Sequence, residues 1–163
     1  MPDKDQNLNE LKHEYEILRK KYSLPEFNKL NEEFEIERLA DKKSDFILRG
    51  IRRSILNKSV NFLKFLEEFV NPSMASFASL VIQKSFADKE RELVKRCYEN
   101  LVALELKAAH LEIEYNEKGE VEFIKSTVKD WDDIKSDFKE LAKTAEKIWK
   151  GKIEEEGIVE YFG

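Results

Sequence analysis

The chain has 163 residues, of which 41% are hydrophobic and 39% charged, with a formal net charge of −5 and an isoelectric point near 5.3. That length suits one ordinary domain, and surface scaling lets it bury roughly 70% of its unfolded surface, so a core forms without staples. One cysteine excludes an internal disulfide framework, two histidines leave little for imidazole chemistry, and the acidic balance argues against a surface built throughout for nucleic acid.

Only 5 Gly and 3 Pro interrupt the chain, which points to long helices. No apolar run reaches the roughly 20 residues of a membrane span. Residues 1–9 are polar and acidic, unlike a secretory leader, so the expected location is the cytoplasm.

Leu8, Leu11, Tyr15, Leu18 and Tyr22 carry the three-and-four spacing of a helix over about 7–22. Ser23, with Glu26 three residues on and Pro25 between them, predicts a break and a second helix over 25–35. The apolar pattern then lapses to Ile36 and Leu39 among charges, the expected linker. Leu48, Ile51, Ile55, Phe62, Leu66 and Phe69 predict a third helix over 44–70, ended by Asn71-Pro72. A fourth, over 73–84, lies in a stretch from Phe69 to Gln83 with no charge at all. Ser85 and Asp88 have capping-box spacing and open a long helix to 115, with Leu93, Cys97, Leu101, Leu104 and Ala108 on its stripe. Ile124, Val128, Trp131, Ile134, Leu141 and Ala145 mark a last helix over 120–150, and residues 151–163 form a tail.

The fold class is therefore all-α, a single-domain bundle of five or six helices over residues 1–163. One segment competes with this reading. Residues 111–115 and 120–123 alternate apolar and polar around Gly119, and Ile158 to Phe162 supplies a third alternating run, so a β-hairpin or three-stranded appendage near 111–123 and 158–162 is the alternative to an antiparallel helix pair. Against strands, Glu112, Glu114, Glu120 and Glu122 would share one face.

No catalytic or nucleotide-binding motif is present, so no enzyme activity and no cofactor are expected. Glu10 and His13 form one Glu-x-x-His pair, but diiron chemistry needs two, and His110 has Lys107 three residues before it. We read His13 as a solvated histidine, His110 as a partly buried one, and Cys97 as a packing residue.

Two segments are candidates for function. Lys42, Lys43, Arg49, Arg52, Arg53 and Lys58 form a local positive excess, and Arg49, Arg52 and Arg53 are spaced to share one helix face beside Gly50. Guanidinium groups suit phosphates, so nucleic acid or another polyanion is one candidate partner. The competing reading pairs these arginines with the chain's own Glu105, Glu112, Glu114, Glu120 and Glu122. The other segment is apolar: Met74, Phe77 and Val81, with Ile158, Tyr161 and Phe162, offer more apolar surface than one internal face needs. The preferred function is a non-enzymatic protein-protein interaction or scaffold subunit that binds a protein partner or itself, with polyanion binding as the alternative.

Overall fold

In the computed structural model the described residues are 4–41 and 46–156. The protein is all-α. Among the described residues there are six α-helices, α1 (Lys4–Tyr22), α2 (Phe27–Phe34), α3 (Ile47–Val70), α4 (Phe77–Lys84), α5 (Asp88–Ile113) and α6 (Glu117–Glu156), and a 3-10 helix over Ile36–Asp41. The chain divides into two compact units, residues 1–60 with 103–131, and residues 61–102 with 132–163. The helices α3, α5 and α6 each contribute residues to both.

In the first unit, α1 ends at Ser23, whose φ of 53° places it in the left-handed region. The Leu24 amide donates to the Arg19 carbonyl at 3.2 Å, closing the helix, and Leu24 is buried. The Tyr15 hydroxyl donates to the Pro25 carbonyl at 2.6 Å and its ring meets Phe27 edge-on. The expected Ser23–Glu26 box does not form. Glu26 itself stands before α2 without a side-chain cap.

The expected linker carries structure because of Ile36 and Asn31. Glu35 ends α2 with a left-handed φ of 53°, and Asn31 accepts from the Glu37 amide at 2.9 Å, which turns the chain so that Ile36 is buried. Leu39 then lies over Gly50, where an added Cβ would meet its methyl carbons at 3.1 Å. The close approach that Gly50 permits is used by this leucine.

The disputed segment is helical on both sides of a short turn. Helix α5 runs through Ile113 and α6 begins at Glu117, with the Asn116 side chain accepting from the Gly119 amide at 3.1 Å as an N-cap. Among the described residues there is no strand. Residues 158–162, the third strand of that alternative, lie outside the described residues. The helix stripes win because Leu104, Ala108, Val121, Ile124 and Val128 are all buried, a 3.6-residue period that strands would split between two faces. Trp131 completes this core, tilted against Phe34 at 4.9 Å with its indole N–H donating to Glu33 at 3.0 Å.

In the second unit, Leu66, Phe69, Phe86, Cys97, Leu101, Ile134 and Leu141 are buried. Phe62 stacks on Phe138 at 4.2 Å. The helix expected from residue 73 starts later, at Phe77, because Asn71 accepts from both the amide and hydroxyl of Ser73 and holds a turn. Ser76 then caps α4 by accepting from the Ser79 amide at 3.2 Å, and the Ser76 hydroxyl donates to Glu68 at 2.8 Å. The Ser79 and Ser76 hydroxyls together lower the Glu68 pKa. At the start of α5 Glu90 caps the helix alone, accepting from the Ala87 amide at 3.0 Å, in place of the expected Ser85 and Asp88 box.

Candidate functional site

The arginine cluster lies in the first unit. Arg52 is not on an exposed face: it is 0% exposed, because it follows Leu48 by four residues and precedes Ile55 by three, both on the buried stripe. Its Nε donates to Glu120 Oε2 at 2.9 Å, Nη2 to Glu112 Oε2 at 2.7 Å and Nη1 to the Ala108 carbonyl at 3.2 Å. The α5–α6 turn places Glu112 and Glu120 near each other, so one guanidinium ties the end of α5 to the start of α6.

Arg53 is exposed and forms a fork with Glu112. Arg53 and Arg52 together hold the Glu112 carboxyl down to about 2, well below the usual carboxylate range. Arg49 lies over the rings of Tyr115 and Phe46, at 5.0 and 5.4 Å, which neutral packing and cation–π attraction both favour. Lys58 donates to the Glu33 carbonyl. Lys42 and Lys43 lie outside the described residues. Of the acidic residues expected to pair with this cluster, Glu112 and Glu120 do so.

The remaining candidates stand as follows. His13 and His110 are both exposed, so His110 is not the partly buried residue expected. Its position beyond the Leu104–Ala108 stripe turns it outward. Cys97 is buried, and burial, with Asp137 nearby, pushes its thiol up to about 11. No group of three or more metal-ligating side chains occurs among the described residues, and none of their helices is long and apolar enough to cross a membrane.

The apolar candidates lie in the second unit. Met74 is 62% exposed, Phe77 58% and Val70 44%, while Val81 is half-buried on α4. Ile158, Tyr161 and Phe162 lie outside the described residues. Of α4 only Ser79 and Ile82 are buried and only Phe77 and Lys84 are exposed, with Ala78, Leu80, Val81 and Gln83 half-buried between them.

A feature that the sequence reading missed adjoins this surface. A groove of about 550 Å³ opens between the end of α3, the end of α4 and the first half of α5. Its floor is Phe69, Phe86 and Val94, all buried, and Val70 forms its lip. Phe69 and Phe86 meet at 5.3 Å, and Gln83 donates to the Phe69 carbonyl at 2.7 Å, fixing α4 against α3. The charged lining is Lys84, Arg91 and Lys95 against one acid, Glu99. Net charge hides this rim in the sequence, since Asp88, Glu90 and Glu92 alternate with it along the chain. The available signal is Arg91 and Lys95 at i and i+4 on the helix that follows the uncharged stretch.

No family model, curated protein or solved structure matches the chain.

Proposed function

We propose that the protein is a non-enzymatic, cytoplasmic interaction subunit that acts as one helical domain and presents the surface around α4 to a protein partner or a second copy. The observation that carries this reading is the exposure of Val70, Met74 and Phe77, each by more than two-fifths, over residues 70–77 at the α3–α4 turn. Large apolar side chains grouped on a surface mark interaction sites, whereas scattered ones do not. The continuity of α3, α5 and α6 through both compact units supports a single domain.

Polyanion binding fits less well. A phosphate approaching the cluster would have to displace Glu112 and Glu120 from Arg52, and Arg49 lies over two aromatic rings. An electrophoretic or anisotropy titration with duplex DNA and single-stranded RNA at low salt distinguishes the two. The interaction reading expects no binding that depends on Arg49 and Arg53, and tight binding abolished by Arg49→Glu with Arg53→Glu would replace it with the polyanion reading.

A further inference from the structure

We infer that the groove between α3, α4 and α5 of the second unit receives an acidic peptide segment of a partner protein, one that carries aromatic or branched side chains among several carboxylates. The inference rests on the interaction reading above and names its partner chemistry.

The charge pattern is the main argument. On α5, Arg96 grips Asp137 with two bonds of 2.8 and 2.9 Å, and Lys89 meets Glu140 at 2.7 Å. By contrast Lys84, Arg91 and Lys95, which line the groove, are exposed and make no ion pair among the described residues. In a protein with 34 carboxylates against 29 cations, the charged groups around this apolar floor are three cations and one acid, Glu99. This local positive excess is complementary to an acidic ligand.

The number and spacing of these cations identify the ligand class. Arg91 and Lys95 are one turn apart on α5 and Lys84 comes from α4, so the rim addresses several anionic groups in different places. A fatty acid offers one carboxylate. A nucleic acid offers many phosphates, but its bases stack on exposed ring faces, and Phe69 and Phe86 are buried at the floor. A peptide with alternating Glu and Phe or Leu supplies both, and the exposed Val70 at the lip continues the apolar contact outwards. The groove volume lies within the range of pockets that hold a few side chains.

The test is an anisotropy titration of the full chain with the fluorescein-labelled peptide EEFEELFEE. Saturable binding is expected, and Lys84→Glu, Arg91→Glu and Lys95→Glu together should weaken it about tenfold or more. A charge-matched variant with Lys29→Glu, Lys64→Glu and Lys107→Glu should bind as the wild type does, and circular dichroism checks that both variants are folded. The peptide EESEESSEE should bind at least about tenfold more weakly, because the apolar floor gains nothing from it.

Several results would overturn the inference. They are equal binding by EESEESSEE, binding indifferent to the three rim substitutions, saturable binding of oleate at the rim in place of the peptide, and tighter peptide binding when Ile158, Tyr161 and Phe162 are changed to Ser, which would assign the groove to the chain's own segment. A concentration-dependent dimer lost with the rim substitutions would likewise assign it to a second copy. Loss of peptide binding leaves the interaction reading standing if the chain still assembles through Met74 and Phe77, so the two claims fail separately.

Discussion

Arg52 Nε donates to Glu120 Oε2 at 2.9 Å with both side chains fully excluded from solvent. The other oxygen of Glu120 has no hydrogen-bond partner, so this carboxylate depends on the one guanidinium. Removing a single partner of a buried ion pair strands a charge and costs about 3–5 kcal/mol, whereas replacing both with apolar groups is often neutral. Arg52→Met should therefore lower unfolding stability by about that much, and adding Glu120→Leu should restore most of it. Urea unfolding of the two variants measures both, and equal losses would show that the pair's geometry, not the stranded charge, sets the cost.

Glu112 gives the fold a pH dependence of known sign. Its carboxyl lies at about 2 in the folded chain because Arg53 and Arg52 both bind it, against about 4.3 when unfolded. A depressed folded value means stabilisation that is complete above the unfolded value and is lost as pH falls toward 2. Glu112 is partly exposed, so solvent screening keeps the gain small. The urea midpoint of the wild type should exceed that of Glu112→Gln at neutral pH, with the gap closing between about pH 5 and pH 2. A gap that does not change with pH would assign the difference to packing.

Cys97 should be a silent thiol in the native state. It is buried among the α5 stripe and its pKa is pushed up to about 11, both of which suppress the thiolate that reacts. Labelling with a thiol-specific disulfide reagent at pH 8 should be slow until denaturant opens the second unit, when it should reach the rate of a free cysteine. Rapid labelling of the native chain would place the thiol at the surface.

Most of the fold was readable from the sequence, and the reason is periodicity. Leu11 and Tyr15, Leu48 to Phe69, Leu93 to Ala108, and Ile124 to Ala145 lie where their spacing puts them, because long helices average out local errors. Boundaries were misread where a single side chain decides them: Asn71 delays α4, Glu90 caps α5, and Asn31 with Ile36 turns an apparent linker into a 3-10 helix. Arg52 illustrates the limit for sites. Its place between Leu48 and Ile55 signals burial, but a positively charged neighbourhood reads as a surface patch unless its acids, some sixty residues away, are known to fold back onto it. The groove was missed for the opposite reason, since its cations are diluted in sequence by Asp88, Glu90 and Glu92, which do not line it.

The surface around α4 carries the central claim. Met74 and Phe77 are exposed, so Met74→Ser with Phe77→Ser should change unfolding stability by no more than about 0.5 kcal/mol, as surface substitutions usually do. The most direct measurement is size-exclusion chromatography with light scattering of the wild type and this variant, each purified from cells of its own source under mild conditions. The account predicts that the wild type elutes in an assembly heavier than the 19.3 kDa chain and that the folded variant does not. A wild type that elutes as a 19.3 kDa monomer, indistinguishable from the variant, would contradict it.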